Sequence, residues 1–348
     1  MAKQETKQDT LSLLKQAIRD RSWGRLYIFH GEEVYLLQYY LEQMRKKIVE
    51  ELTQEFNAHR FTQETFSVQG FADAVEALPM MAERTFVQVD EIDLFKLGEV
   101  DREKIIEVLS DIPEYCTVVF TYEVTPWKPD KRQKKLWEAI ASHGSVVEFA
   151  KQNQRELVTW VGRHFASMGK QISGDLCAYL IDLTGGTMTA LQGEIQKISA
   201  YSGSDVICKA DIDAVTEPVL DAVVFQMTDL LAQGQYGAAL RKLRDLFKMQ
   251  QEPIAILGAV GGHLRRISTA RTLMDAGKNA DSLMRLTGLK DYPARKTMAA
   301  AKGFSGDFCR RAAELVMETD YGMKTSFDEQ ERLLELLILK LAQEAGND

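Results

Sequence analysis

Segments with the character of buried strands occur only in the first 150 residues of this chain, and this limits the folds that it can adopt. They are short, rich in β-branched and aromatic residues, and bounded by turn or charged residues: LYIF (26–29), TFVQV (85–89), TVVFTY (117–122) and SVVEF (145–149). Helix-like segments lie between them, at 34–50, 71–78, 101–110 and 131–142. Because this alternation is typical of parallel sheets, residues 1–150 are predicted to form a doubly wound α/β domain.

After residue 150 the pattern is helical throughout. The segments 154–168 and 174–183 and an apolar stripe at Leu191, Ile195 and Ile198 predict a small helical domain over residues 151–215. A second helical group extends to a long apolar terminus, ERLLELLILKLAQ, and predicts another domain over residues 216–348. There is no internal repeat or low-complexity tract, so three packed domains are expected rather than a solenoid.

Composition narrows the functional classes. The 348 residues are 45% hydrophobic, enough for two or three packed domains, and neither a membrane span nor a secretory signal is apparent, so a cytoplasmic location without a membrane partner is expected. The net charge of −8 weakens the case for strong nucleic-acid binding by the chain alone. Two basic clusters are nevertheless candidates: Lys128, Lys131, Arg132, Lys134 and Lys135, and Arg241, Lys242, Arg244 and Lys248.

No metal or cofactor site is predicted, because the cysteines and histidines are scattered and form no C-x-x-C pair. The same holds for a catalytic site. Glu32 and Glu33 are adjacent carboxylates, but neighbouring helical residues diverge and no third group joins them. The chain is therefore expected to have no catalytic residues, no metal and no cofactor.

The stretch RLYIFHGEEVYLLQ reads as a strand, a sharp turn at Gly31 and a helix, which is the context of a phosphate loop. Such a loop uses a lysine against the phosphate charge and a hydroxyl on magnesium. Here Gly31 is followed by Glu32 and Glu33, with neither group, so a degenerate nucleotide site closed to ATP is predicted. Asp90 and Glu91 end a strand as in a magnesium-binding motif, but without the lysine-bearing loop they are interpreted as strand-end polar residues.

Six stretches together resemble a known family: LYIFHGEEVYLLQ, ALPMMAERTFVQV, GGTMTALQGEIQKISAYSG, VFQMTDLLAQGQYGAALRKLRDL, EPIAILGAVGGHLRRI and ETDYGMKTS. In this order, and from residue 26 to about 340, the chain is similar to the delta subunits of the bacterial DNA polymerase III clamp loader. The resemblance implies an AAA+-like α/β domain lacking a functional phosphate loop, a small lid-like helical domain and a helical collar domain.

The resemblance also implies that ATPase parts are missing. Related ATPase subunits carry a Ser-Arg-Cys motif where this chain has Ser142, His143 and Gly144, and a phosphate-sensing arginine near the place of Met188. Neither arginine is present at these positions. The chain is then expected to be a non-catalytic subunit of an assembly whose DNA-directed DNA polymerase activity, a nucleotidyltransferase reaction, lies in other subunits.

By the same resemblance, the chain would bind the ring-shaped sliding clamp and open one ring interface with an apolar pair at Met80 and Met81, next to Leu78. Pro79 interrupts the preceding helix, which favours a surface corner for two flexible methionines. Packing within the first domain is the alternative for this pair.

The implied partners are the beta sliding clamp, gamma or tau ATPase subunits and delta prime in a five-subunit ring, and primer-template DNA through the complex. Tyr321 is a possible DNA contact. The terminal stripe, which includes Leu333, Leu334, Leu337 and Leu341, would pack either on neighbouring collar helices or within its own domain.

Two other functional classes stay open. The chain could be an active nucleotide hydrolase with an unusual loop, which nucleotide would stabilise. It could also be an AAA+-like nucleic-acid-binding or adaptor protein without clamp-opening activity, whose DNA affinity would fall steeply with salt.

Overall fold

The computed structural model describes residues 7–130, 132–289, 291–325 and 329–346. It divides into two compact units, Met1–Gln152, which contains the sheet, and Asn153–Asp348, which is helical. The two predicted helical domains, 151–215 and 216–348, fall together in the second unit, and the boundary between them remains a prediction. Within the described ranges, no helix combines the length and the apolar character needed to cross a bilayer.

Five parallel strands form the sheet of the first unit. They are β1 (Leu26–His30), β2 (Ala58–Phe61), β3 (Thr85–Asp90), β4 (Cys116–Tyr122) and β5 (Gly144–Glu148), in the order β2-β3-β4-β1-β5. The predicted α/β class with a parallel sheet is confirmed. Because β1 lies between β4 and β5, the turn that follows it emerges inside the carboxyl edge of the sheet rather than at a corner.

Helices cover both faces of this sheet: α1 (Lys7–Asp20), α2 (Val34–Ile48), α3 (Gln54–Asn57), α4 (Val68–Glu76), α5 (Glu99–Ser110) and α6 (Lys134–His143). Successive residues of β1 point to opposite faces. Ile28 joins the core formed with α4, α5 and α6, whereas Phe29 joins the core formed with α1 and α2. Burial on both faces explains why the central strands are continuously apolar.

Some helix ends differ from the predicted ones for local reasons. The helix predicted at 71–78 spans Val68–Glu76, because the Ser67 side chain accepts from the N–H of Gly70 at its start. Pro79 disfavours a helical conformation in the residue before it, Leu78, which fits the early end. The helix predicted from residue 131 begins at Lys134, and Lys131 itself lies outside the described residues.

Within the described residues, the second unit consists of helices and the loops between them. Its α-helices are α7 (Gln154–Ser167), α8 (Gly174–Leu183), α9 (Met188–Tyr201), α10 (Lys209–Val215), α11 (Leu220–Ala232), α12 (Tyr236–Lys248), α13 (Pro253–Asp275), α14 (Ala280–Thr287), α15 (Asp291–Ala300), α16 (Gly306–Thr325) and α17 (Gln330–Gly346). The predicted all-helical region is thus confirmed. Gly185 and Gly186, between α8 and α9, have φ +75° and +73°, the left-handed region that favours glycine.

The terminal helix α17 buries its apolar stripe within the second unit. Leu334, Leu337 and Leu341 are at most 1% exposed and belong to the core formed with α12, α13 and α16, and Leu333 is partly buried against the same core. Of the two predicted alternatives for this stripe, packing within its own domain is the one observed.

Candidate functional site

The turn at Gly31 is held against the backbone that follows β5. The N–H of Phe149 donates to the carbonyl oxygen of His30 over 2.7 Å, and the carbonyl oxygen of Phe149 accepts from the N–H of Glu33 over 2.9 Å. Gly31 has φ +138°, and a Cβ atom there would lie 2.2 Å from the Phe149 carbonyl oxygen. Residue 31 therefore has to be glycine, because any side chain there would collide with the Phe149 backbone. The turn between β1 and α2 is three residues long.

The two acidic residues of this turn have different environments. Glu32 is exposed and its carboxylate lies 2.9 Å from Nζ of Lys151, whose hydrogen bond and charge hold the pKa of Glu32 below its usual value. Glu33 is 6% exposed and directly precedes the first residue of α2. Carboxylates at a helix N-terminus are favourable for the helix, but they repel a phosphate group. The Glu33 N–H, which a phosphate loop would offer to its ligand, is bonded to Phe149.

Asp90 and Glu91, at the end of β3, are bonded to groups of the chain itself. The Asp90 carboxylate accepts from Arg60 Nε over 2.7 Å and from the Thr121 hydroxyl over 2.7 Å. The Glu91 carboxylate accepts from three successive backbone N–H groups of residues 123–125, at 2.5, 3.0 and 2.7 Å. Burial acts to raise the pKa of Glu91, but these hydrogen bonds outweigh it and lower the pKa. Both carboxylates therefore join β3 to its neighbours, as strand-end polar residues do.

The predicted clamp-binding residues lie in the segment 77–84, between α4 and β3. Their side chains are exposed, 78% for Leu78, 54% for Met80 and 91% for Met81. Since this segment leads into β3, it lies at the amino edge of the parallel sheet, opposite the carboxyl edge that carries Gly31. The segment 77–84, called the tip below, and the turn at Gly31 are thus separate features of the first unit.

A buried side chain fixes the backbone of this tip. Asn57, the last residue of α3, is 0% exposed. Its Oδ1 accepts from the N–H of Met80 over 2.7 Å, and its Nδ2 donates to the carbonyl oxygen of Met80 over 2.9 Å and to that of Thr53 over 3.0 Å. The amide thus pairs with both backbone groups of Met80 as a neighbouring strand would. Nothing in the sequence identified Asn57, because it lies in a polar segment with no regular period.

Met81 has an unusual backbone conformation, with φ +54°. The left-handed region costs a residue other than glycine about 1–2 kcal/mol, and it persists only where surrounding contacts impose it. Here the bonds between Asn57 and Met80 fix the preceding residue. The result is a Met81 side chain that projects into solvent from a defined backbone.

The candidate DNA contacts are Tyr321 and the two basic clusters. Tyr321, on α16, is 71% exposed. In the two basic clusters, Arg132 pairs with Asp130 at 2.8 Å and Arg244 with Glu335 at 3.1 Å, so part of their charge is compensated within the chain. Lys131 is not among the described residues.

In the parts of the chain that are described, no three His, Cys, Asp or Glu side chains are grouped so that they could hold a metal ion. Cys116, Cys177 and Cys309 are buried and Cys208 is exposed.

Comparison with known families and structures connects these features to a class of proteins. The sequence model described as DNA polymerase III, delta subunit, matches residues 27–150, and that described as DNA polymerase III delta subunit, C-terminal domain, matches residues 221–341. Together the two models match well over half of the chain and lie in different structural units.

Two individual relatives match most of this chain in sequence. The chain is 28% identical over 324 residues to the DNA polymerase III subunit delta of Bacillus subtilis, which covers 91% of this chain and 92% of the relative. It is 25% identical over 275 residues to a probable DNA polymerase III subunit delta of Aquifex aeolicus, covering 77% and 76%.

The fold has a solved counterpart. The Bacillus subtilis DNA clamp loader delta protein superposes with a TM-score of 0.59 at 22% identity, over 96% of this chain and 99% of that one. The parallel sheet with a three-residue turn after β1, the helical second unit and the two matches in chain order agree with the resemblance noted in the sequence. The chain belongs to the family of DNA polymerase III delta subunits.

Proposed function

We propose that this chain binds the sliding clamp and opens one interface of the ring during replication, with Leu78, Met80 and Met81 as the contact. The observation that carries the proposal is the tip before β3, where three apolar side chains face solvent from a backbone that buried Asn57 fixes. Large apolar side chains exposed together at one tip are typical of a protein contact.

The free energy gained by burying the exposed side chains of the tip is large enough to support binding. Burial of a leucine or methionine side chain contributes about 1.5–3 kcal/mol. Fixing the backbone of a residue costs about 1–2 kcal/mol. Because Asn57 orders the tip when the chain folds, most of this cost does not fall on the binding step.

Opening follows if the tip contacts the open ring better than the closed one. A ligand shifts an equilibrium only by its differential affinity, and a shift from 1:99 to 99:1 needs about 5.5 kcal/mol. Three apolar side chains that are fully buried only against the open interface would supply about 4.5–9 kcal/mol. No bond chemistry in this chain is needed.

The proposal includes that the chain does not hydrolyse ATP. Its support is the turn at Gly31, where the Phe149 backbone, the Glu32–Lys151 ion pair and buried Glu33 occupy the region in which a phosphate loop would hold its ligand. ATP bound by partner subunits would then control access of the tip to the clamp.

The partners proposed with this function are the beta clamp, gamma or tau ATPase subunits and delta prime in a five-subunit ring, and primer-template DNA held by the complex. Residues 1–150 would contact the clamp, 151–215 would form the small helical domain, and 216–348 would join the collar. Tyr321, exposed on α16, is the proposed DNA contact.

Calorimetric titration of the purified chain into the clamp of the same organism, without nucleotide, tests the proposal. We expect tight binding that Met80→Ala/Met81→Ala weakens about 100-fold or more, or about 2.7 kcal/mol. The matched control is Val124→Ala, which removes an 87% exposed apolar side chain after β4, at the opposite edge of the sheet. A wild-type chain that does not bind the clamp would overturn the proposal, and equal binding by wild type and the methionine variant would move the contact elsewhere.

A further inference from the structure

Two large apolar side chains of the first unit are exposed without a role in the fold. They belong to the segment 51–57, which consists of a 3₁₀ turn (Glu51–Thr53) and α3. Leu52 is 92% exposed and Phe56 is 56% exposed. A single exposed leucine needs no explanation, but several apolar side chains that share one surface mark an interaction site.

The amide of Asn57 brings this segment to the tip. It bonds the carbonyl oxygen of Thr53 in one direction and both backbone groups of Met80 in the other. Leu52 precedes Thr53, Phe56 precedes Asn57, and Met81 follows Met80. Consecutive Cα atoms are only 3.8 Å apart, so each exposed side chain starts one residue from Asn57 itself or from a residue that its amide bonds.

The order of the sheet gives the same placement independently. Segment 51–57 leads into β2 and the tip leads into β3, and β2 and β3 are parallel neighbours. Both connections therefore reach the sheet from its amino edge, next to each other. Leu52 and Phe56 lie beside the tip, away from the turn at Gly31.

The charges around this surface indicate the kind of partner. Glu50, Glu51, Glu55 and Glu83 are all exposed, and residues 50–57 include no basic residue. In the helix that precedes the segment, Arg45 and Lys46 both pair with Glu42. The exposed carboxylates of this segment disfavour a nucleic-acid backbone, and exposed apolar side chains that share one surface favour a protein partner.

We infer that Leu52 and Phe56 form a second contact of the clamp-docking surface, continuous with Leu78, Met80 and Met81 and joined to them through Asn57. This inference rests on the proposed function, since it takes the clamp as the occupant of the tip. The clamp is held by two apolar elements from different connections of the sheet, and rotation about a single inserted side-chain pair is prevented.

The test is calorimetric titration of the full chain into the clamp with Leu52→Ala/Phe56→Ala, beside wild type and the Val124→Ala control. We expect binding about 10- to 100-fold weaker, or about 1.4–2.7 kcal/mol. Because the contact is apolar, the ratio to wild type should be unchanged between about 0.05 and about 0.5 M salt. The single Leu52→Ser variant, at the more exposed position, keeps the test valid if loss of Phe56 perturbs α3.

The outcomes separate this inference from the proposed function. If wild type binds and Met80→Ala/Met81→Ala weakens binding, but both Leu52→Ala/Phe56→Ala and Leu52→Ser bind as wild type does, the second contact is refuted and the clamp assignment stands. If wild type does not bind the clamp at all, the proposed function and this inference fail together. Weaker binding by the Leu52 and Phe56 variants, with unchanged unfolding temperatures and a normal Val124→Ala control, supports the inference.

Discussion

At the scale of single residues, the proposed docking surface depends on a polar side chain that does not itself face the partner. Asn57 is fully buried, and all three hydrogen bonds of its amide go to backbone groups of Thr53 and Met80. The left-handed conformation of Met81 follows directly after the fixed residue. Asn57 is thus a positioning residue for the tip.

Asn57→Ala should both destabilise the first unit and weaken clamp binding. Removal of the amide takes away one hydrogen bond from each of three part-buried backbone groups, which should lower the free energy of unfolding by about 2–4 kcal/mol. Urea denaturation and the clamp titration measure the two effects. Glu55→Ala, an exposed change in the same short helix, controls for stability and should stay within about 0.5 kcal/mol of wild type. Unchanged clamp affinity in a folded Asn57→Ala chain would contradict the positioning role.

Gly31→Ala tests the closed turn. The added Cβ atom would lie 2.2 Å from the carbonyl oxygen of Phe149 and 2.6 Å from its carbonyl carbon, at a φ of +138°. We expect a loss of more than about 3 kcal/mol of unfolding free energy, because backbone cannot move aside as a flexible side chain does. Gly98→Ala is the matched control in the same unit, since no atom lies within 4 Å of its added Cβ. Similar stability of the two variants would show that the backbone after β5, at Phe149, is not held against the turn as described.

At the scale of elements, α11, α13 and α15 meet around His263, which is 1% exposed. Its ring lies 4.5 Å from that of Phe225, and Lys296 Nζ lies 3.9 Å from the same Phe225 ring and 2.8 Å from the Asp182 carboxylate. Burial, with smaller effects from the charges of Arg266 and Lys296, lowers the pKa of His263 to about 3. The folded chain therefore holds this imidazole neutral.

This burial predicts a pH-dependent stability. Below the unfolded pKa of about 6.5 the unfolded chain binds a proton that the folded chain does not bind, so stability falls by about 1.4 kcal/mol per pH unit until the folded pKa is reached. Between pH 7 and pH 5, wild type should lose about 2 kcal/mol more than His263→Phe. Urea denaturation at both pH values measures this difference. An equal loss in the two proteins would contradict it.

The elements also differ in how far the sequence predicts them. Continuous apolar strands such as β3 and β4, and α8 with its flanking glycines, are apparent from composition and period. The segment 49–61 is not: β2 is a half-buried edge strand with the sequence AHRF, and α3 is four residues long. Both depend on contacts distant in sequence, the pairing of β2 with β3 and the Asn57 bonds to Met80.

The residues of the candidate site also differ in how far the sequence predicts them. Met80 and Met81 were predicted from family resemblance together with Pro79, and their exposure fits a contact role. The residues that support them, Asn57, and that extend them, Leu52 and Phe56, were not predicted. Exposure and long-range hydrogen bonds have no local sequence signal, because neither depends on the period of nearby residues.

At the scale of the whole molecule, the chain combines a sheet-containing unit and a helical unit, each with its own core. In the proposed assignment, the first contacts the clamp and the second joins the assembly. The turn at Gly31 and the tip before β3 lie at opposite edges of one sheet, so a turn closed to nucleotide, as proposed, would leave the tip in place.

Nucleotide should therefore leave the stability of the chain unchanged. A ligand at 100 times its Kd stabilises by about 2.7 kcal/mol, which shifts an unfolding midpoint by several degrees. We expect a shift of less than about 1 °C with millimolar ATP and magnesium, and a clear shift with excess clamp as the positive control. A nucleotide-dependent rise would favour the hydrolase alternative.

Release of clamp from circular DNA measures ring opening most directly. Clamp assembled on a nicked circle would be mixed with the chain alone, without nucleotide, and the clamp that leaves the circle would be measured by gel filtration. We expect release by wild type and by Val124→Ala, and almost none by Met80→Ala/Met81→Ala. A wild-type chain that binds the clamp but leaves it on the circle would contradict opening by this subunit.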